Sequence, residues 1–466
     1  MVVLLAIAWI AASTMLAPAR AEPAVAGRAL IVTDIHFNPM ADPALVDRLA
    51  AADPRDWPGI FASARDRSLG HYLADTNWRL LRATLRQMKA VLPDPAVVLI
   101  PGDFLAHQFR RKFNAAARHH SDADYRAFVY KTMQFLTDQI TGAFPGRPIL
   151  PVIGNNDSDC GDYQVAPGGP FLAGTLPLLR RMLGGAAGED VGRDWRGGGN
   201  YSVVLPHSRG LRVIVVNTVF FSPAYRNRCG SAGQDDPGKA TLAWLAHRLE
   251  AARQAGVKIW LTYHIPPGDD FYETFRSGKC PKAFVPLWKS AYAEPFYALM
   301  RQYAGIIAAA FAGHLHMDTF RLIPSGGFVL ITPAVSPIFG QNPAFRTVSF
   351  DRAGRLLDET TYDLTNLMGA NASPTGPPAD WEAEYTFTRE WHLPRLDRAS
   401  LARLAQQITT VPDARRRWEK YYTVSSPASI LLRIGLAGDL TDALLCAPAH
   451  LLPQDFDRCY CGAKSR

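Results

Sequence analysis

Residues 305–316 read GIIAAAFAGHLH, an unbroken small-apolar run that ends on a glycine and on two histidines two positions apart. Such a run, too short for a long helix and apolar throughout, reads as a strand buried on both faces of a layered α/β fold. The same grammar recurs upstream. ALIVT precedes Asp34, AVVLIP precedes Asp103, PILPVI precedes Asn155 and VKIWLTY precedes His264. Each run therefore stops at a potential metal ligand: TDIH at Thr33, PGDF at Pro101, IGNND at Ile153, TYHIPPG at Thr262 and AGHLH at Ala312. In open α/β folds sites form beyond the carboxyl ends of the strands, so five such ends are expected to converge. Asp34 and His36 are two apart, as are His314 and His316, and a period-two backbone would turn each pair toward one side. Two divalent ions about 3.5 to 4 Å apart need a carboxylate that touches both and a surrounding set of imidazole and oxygen ligands, and this inventory supplies one.

Around the strands, helical periodicity is expected at 75–92, 122–140, 238–255 and 289–303. RGGGNYSVVLP at Arg196, LRVIVVNTVF at Leu211, FRTVSFD and RLLDETTYDL add further strands. GANASPTGPPAD, rich in Gly, Pro, Ala and Ser, reads as a linker, and helical patterns fill 381–447 beyond it, among them Leu401, Leu404 and Ile408, then Ile430, Leu431 and Ile434. The 466 residues are 48% hydrophobic and only 20% charged, enough for one large core plus an appendage and poor in the composition of disorder. MVVLLAIAWIAASTMLA, followed by Ala19-Arg20-Ala21, reads as a signal peptide over 1–21, although its start lacks a basic side chain; a retained amino-terminal anchor is the alternative. No later segment runs to eighteen uninterrupted apolar residues, so no membrane span is expected after that leader. Export to the periplasm or the exterior would make Cys160, Cys229, Cys280, Cys446, Cys459 and Cys461 candidates for disulfide bonds, with a tie among the last three favoured. The net charge of +8 would draw anionic ligands, but no nucleic-acid module with interleaved aromatics is visible.

The ligand segments, together with GHYLADTNWRLL at Gly70, DPGKATLAWLAHRLEAAR at Asp236, HIPPG at His264, GHLHMDTF at Gly313 and NPAFRTVSFD at Asn342, resemble the calcineurin-like metallophosphoesterase superfamily. Within it they look like the acid sphingomyelinase branch, which is similar also to endopolyphosphatases. The likeness covers roughly residues 28 to 420. It implies a β-sandwich of two mixed sheets flanked by helices over 28–365, and a linker with a helical carboxy-terminal subdomain over 366–466. It also implies that Asp34, His36, Asp103 and His316 hold one metal, and that Asp103, Asn155, His264 and His314 hold the other, with Asp103 as the bridge. Zinc suits such a mixture of imidazole and carboxylate, with iron or manganese as alternatives. The implied activity is hydrolysis of phosphoric diesters or phosphoanhydrides by hydroxide delivered in line from between the metals. Substrates would be small phosphorylated compounds: a phosphodiester, a nucleotide or polyphosphate. The oligomeric state is left open.

The chain departs from the commonest family pattern after Gly154-Asn155, where a catalytic His usually follows and Asn156 stands here. An amide can donate a hydrogen bond to substrate but cannot act as a general acid. His107, four residues past Asp103, matches a second His of the sphingomyelinase branch and is the expected acid and substrate contact, with Asn156 beside it. Gly-Asn-Asn-Asp also resembles the endopolyphosphatase side, whose leaving groups need less protonation, and the missing His admits a metal-retaining pseudoenzyme that only binds phosphate ligands. Ala74 stands where relatives often have Cys, so their disulfide pattern does not transfer. Elsewhere, Asp75 reads as a helix N-cap, His247, His119 and His120 as solvated, and Arg110, Arg111 and Lys112 as either a flank for further phosphates or a solvated helix face. Tyr263 and Asp157 are open between lining the pocket and supporting it.

Overall fold

A computed structural model describes residues 24–206, 210–227, 236–324, 326–370, 378–427 and 439–464. Twelve strands in these residues form two six-stranded sheets, and the apolar runs that precede the ligands are their centres. In the first sheet, β1 (Gly27–Ile31), β2 (Val97–Ile100) and β3 (Ile149–Pro151) run parallel. In the second, β4 (Tyr201–Val204) pairs antiparallel with β5 (Arg212–Val216), which runs parallel to β6 (Ile259–Tyr263) and through it to β7 (Ile307–Ala312). Strands β8 (Thr319–Leu322) and β9 (Phe328–Ile331) close that sheet in the order β4-β5-β6-β7-β9-β8. Strands β10 (Ala344–Phe350), β11 (Leu356–Leu364) and β12 (Trp381–Thr386) extend the first in the order β12-β11-β10-β1-β2-β3. β2, β3 and β6 are buried along their whole length, as continuous apolar runs require when both faces are covered. Trp260 of β6 meets Phe350 of β10 at 4.8 Å between ring centres, marking where the two sheets share a core.

The expected helices are present at Trp78–Val91, Asp122–Ala143, Pro237–Gln254 and Ser290–Gln302. Asp236 caps the third, accepting a hydrogen bond from the Lys239 N–H with Pro237 in the first turn, and His247 on that helix is exposed, as are His119 and His120. The start of the first differs from expectation. Asn77, not Asp75, supplies the cap by accepting from the Leu80 N–H, because the Asp75 carboxylate is drawn into the site described below.

The 381–447 stretch is not helical throughout. Its first residues, Trp381–Thr386, pair antiparallel with β11 and add an edge strand, since a free edge of the first sheet offers unpaired backbone groups that a local helix would leave exposed. Helices follow at Arg398–Thr410, Pro412–Tyr422, Asp439–Cys446 and Pro453–Lys464. Disulfides join Cys446 to Cys459 and Cys280 to Cys461, so the carboxy-terminal helices are tied to one another and to the segment that follows β6. Ile430, Leu431, Ile434, Cys229, residues 371–377 of the linker and the leader over 1–21 lie outside the described residues. No helix among the described residues is long and apolar enough to cross a membrane.

Candidate metal centre

The carboxyl ends of β1, β2, β3, β6 and β7 meet at one place, and the residues just past them have an unusual backbone. Asp34 (φ 48°), His36 (φ 42°), Asp103 (φ 57°), His314 (φ 72°) and His316 (φ 63°) are all left-handed. A pleated backbone was expected to present the two residue pairs. Instead each strand ends first, and tight left-handed kinks turn the side chains inward, a conformation that costs non-glycine residues free energy and clusters at functional sites. Two glycines allow the loops to close. A Cβ on Gly154 would lie 2.1 Å from Asp103 Oδ1, and one on Gly313 would lie 2.5 Å from Asp34 Oδ2.

The seven expected ligands are brought together, and all but His314 are buried. His36 Nε2 lies 3.1 Å from His316 Nε2, 3.4 Å from Asp103 Oδ2 and 3.8 Å from Asp34 Oδ1, while His316 Nε2 is 3.4 Å from that same Asp34 oxygen. On the other side, His264 Nε2 is 3.3 Å from Asp103 Oδ2 and 2.9 Å from Asn155 Oδ1, which also faces His314 Nδ1 at 3.0 Å. Asp103 Oδ2 thus stands between two imidazoles that belong to different groups. Hydrogen bonds outside the cluster fix which atoms face inward. Nδ1 of His36 donates to the Leu105 carbonyl at 3.0 Å and Nδ1 of His264 to the Pro101 carbonyl at 2.7 Å, so each Nε2 turns its lone pair into the cluster. Asn155 Nδ2 donates to Asp162 at 2.8 Å, which aims its carbonyl oxygen the same way.

Lone pair therefore faces lone pair, and such an arrangement demands positive charge between its members. The titration of the metal-free site expresses the same demand. Burial opposes charge on His36 and His264, yet the Asp103 carboxylate raises both to about 9. Burial likewise opposes ionisation of Asp34, but His316 and His36 bring it to about 2. His314 is pushed down to about 3 by burial and by the neighbouring His264. Imidazole nitrogens, two carboxylates and one amide oxygen fit a pair of borderline divalent cations, and Asn155 keeps the total negative charge low.

His107 is placed at the edge of this cluster. Its ring stacks on His36 with centres 3.8 Å apart, its Nδ1 lies 2.9 Å from Asp75 Oδ1, and its side chain is 29% exposed. Lys112 ion-pairs with the other Asp75 oxygen, whereas Arg110 turns away to Asp122 and over the Tyr125 ring. The Asp75 carboxylate is held at about 2, because the bond to His107 and the charges of His36 and Lys112 outweigh its burial. Asn156 does not project freely toward a substrate. Its backbone N–H donates to Asp103 Oδ1 and its Nδ2 to Asp103 Oδ2, both at 2.9 Å.

Three residues support the cluster, of which the sequence left only Asp157 open to that role. Asp157 accepts backbone N–H bonds from Asp103, Phe104, Leu105 and Gly154 at 2.8 to 3.1 Å, clamping the loops after β2 and β3 together. Asp318, two residues past His316, accepts from the fully buried Arg346 of β10, from Thr361 of β11 at 2.7 Å and from Tyr385 of β12 at 3.0 Å. Phe339 stands edge-on to His316, 4.6 Å between ring centres. The Asn-Asp dipeptide after a ligand was a usable signal for Asp157; nothing local marks the other two. Tyr263 is buried and packs edge-on against Trp288 and Phe296.

No protein-family model matches the chain. Relatives are found along most of its length. Acid sphingomyelinase-like phosphodiesterase 3b of Homo sapiens is 27% identical over 452 residues, covering 91% of this chain and 88% of that protein. Sphingomyelinase phosphodiesterase C of Dictyostelium discoideum is 26% identical over 411 residues, 84% and 83% of the two chains. Cyclic GMP-AMP phosphodiesterase SMPDL3A of Rattus norvegicus is 25% identical over 425 residues, 87% and 85%. Among solved structures, a dimetal phosphatase from Danio rerio superposes with a TM-score of 0.41 at 12% identity, over 72% of this chain and 96% of that one.

Proposed function

We propose that this chain, a metal-dependent phosphoester hydrolase of the calcineurin-like metallophosphoesterase superfamily and its acid sphingomyelinase-like branch, cleaves phosphoric diesters at a site suited to two metal ions, for which Asp103 would be the shared ligand. Asp34, His36, Asp103 and His316 would hold one ion, and Asp103, Asn155, His264 and His314 would hold the other. The observation that carries the reading is the inward turn of the His36 and His264 Nε2 atoms onto one Asp103 oxygen. Two divalent ions, zinc in the first instance and iron or manganese otherwise, would supply Lewis acidity and an activated water when bound. The protein's own groups set the geometry. Asn156 fixes both oxygens of Asp103, and Asp157 fixes the backbone on either side. His107 is the acid: with Nδ1 donating to the ionised Asp75, it holds a proton at Nε2 for the departing oxygen at the open edge of the site.

A second reading is favoured by Asn156. With its amide spent on Asp103, the site has one proton donor where the family commonly has two, which suits leaving groups of low pKa such as the phosphates of nucleotides or polyphosphate. Residues 28–365 would form the catalytic unit and 366–466 the linker and helical subdomain, and the disulfides favour a secreted or periplasmic protein.

The test is reconstitution of the metal-free protein with zinc, manganese or iron, followed by assay with bis(p-nitrophenyl) phosphate, sphingomyelin, ATP and polyphosphate. Metal-dependent turnover that disappears in Asp103→Asn is expected, and the preferred substrate separates the two readings. Stoichiometric metal with no turnover of any of them, or full activity without metal, would overturn the proposal.

A further inference from the structure

The helix Trp78–Val91 carries four cations and no carboxylate. Leu80, Leu81, Leu85 and Met88 bury its inner face, so the helix is anchored without help from those charges. Arg79, Arg82, Arg86 and Lys89 follow one another at spacings of three, four and three along the other side, with Arg82 and Arg86 exposed. Like charges at such spacings destabilise a helix. The first two also lie at the positive end of the helix dipole, where carboxylates are the stabilising choice and the first turn has none. Exposed Arg67 adds to the row: Arg79 is held below its usual value by partial burial and by the charges of Arg67 and Arg82. The neighbouring Asp66 is committed to Ser68, accepting from its N–H and its hydroxyl. Lys89 leans over the Phe144 ring. Among the described residues, none of Arg67, Arg79, Arg82 and Arg86 has an ion-pair partner. The fold does not account for a row of cations that works against its own helix and is left unneutralised; an anion from outside the chain does.

The layout of the row selects the anion. From Arg79 to Lys89 it runs about 15 Å at the helical rise, a line of charge that suits a chain of anionic groups rather than a single one. Guanidinium groups grip phosphate oxygens in pairs. The outward face of the helix offers no aromatic ring on which a base could stack and no exposed large apolar side chain that could enter a bilayer. We propose that this helix face, with Arg67 beside it, is a docking surface for a linear polyphosphate chain. The row begins four residues past Asp75, which holds His107, and so leads off from the segment that borders the metal cluster. The inference goes beyond the hydrolase reading, because the face binds the chain apart from the metal ligands, whether or not the cluster cuts it.

Fluorescence anisotropy of an end-labelled, medium-length polyphosphate tests this, titrated with the full-length protein as purified and again in EDTA, so that cleavage cannot shorten the chain. Affinity is expected to fall linearly with salt on logarithmic axes. The double variant Arg82→Gln/Arg86→Gln should bind about tenfold or more weakly at low salt and flatten that slope by about 1.4, the counterions that two cations release from a single strand. Both side chains are exposed and Gln is a good helix former, so the variant keeps the fold. Arg352→Gln/Arg403→Gln removes two exposed arginines elsewhere and controls for net charge; it should stay within about twofold of the parent. Oligothymidylate and phosphatidylglycerol vesicles should bind more weakly than polyphosphate and lose little in the Arg82/Arg86 variant. Equal weakening in both double variants, no weakening in either, or tighter binding of oligothymidylate or vesicles through Arg82 and Arg86 would overturn the docking surface. Turnover is not read, so a protein without hydrolase activity would count against the enzyme reading alone, and the affinities would still decide the surface.

Discussion

Replacing Asp157 by Asn isolates what holds the ligand loops in their left-handed conformations. In the parent, Oδ1 accepts from the Phe104 and Leu105 N–H groups and Oδ2 from those of Asp103 and Gly154, all buried. An Asn side chain keeps one carbonyl oxygen, enough for two of the four donors. Its NH2 group then points at the other two, which become buried N–H groups without acceptors. Each such group costs about 1 to 3 kcal/mol, so the expected loss is roughly 2 to 6 kcal/mol. Equilibrium urea unfolding of parent and variant at one pH, both with disulfides intact, measures it as a shift in midpoint at constant slope. Metal content should fall with it, because Asp103 and Asn155 sit on the two loops that the clamp joins. A variant within about 1 kcal/mol of the parent would refute the reasoning, since it would mean that these N–H groups find other partners and the clamp is dispensable.

Removing His107 as Ala should lower kcat about 10² to 10⁴-fold on diesters with alkyl leaving groups and far less on a dinitrophenyl ester, as expected of a general acid, and steady-state kinetics over a leaving-group series checks it. Gly154→Ala puts a methyl group 2.1 Å from Asp103 Oδ1, and elemental analysis should find the protein depleted of metal even where circular dichroism shows it folded. Asp269 gives the pH dependence: burial raises its carboxyl to about 7, and its Oδ2 is buried without a hydrogen-bond partner. Its folded pKa is above the unfolded value, so the stability it contributes is complete below about pH 4 and is lost as pH rises through 7. Asp269→Asn, whose oxygen can still accept from Thr274 and Val285, should gain on the parent in urea midpoint between pH 4.5 and 8; a constant difference between the two proteins would contradict this.

The local part of this protein can be read along the chain. Apolar runs ending in TDIH, PGDF, IGNND, TYHIPPG and AGHLH announce buried parallel strands with candidate ligands just past them, because strand burial is written as continuous hydrophobicity and each candidate is tied to its own strand end. Less legible are contacts between segments that only folding brings together. Asp75 looked like a cap for the helix beside it and instead orients His107, 32 residues away, with Lys112 behind it. Trp381–Thr386 lay in a stretch of helical pattern, and became a strand because β11 offered an open edge. The link from Asp318 to Arg346, Thr361 and Tyr385 crosses from one sheet to the other. The strained exposure of Leu73 is likewise a backbone state that no residue type announces. Which side chains offer themselves to a metal is a matter of residue type and spacing; which oxygen stands between the imidazoles, which carboxylate meets His107 and which aromatic ring stands against His316 were decided by tertiary structure, since hydrogen bonds and packing act between neighbours in space whatever their distance along the chain.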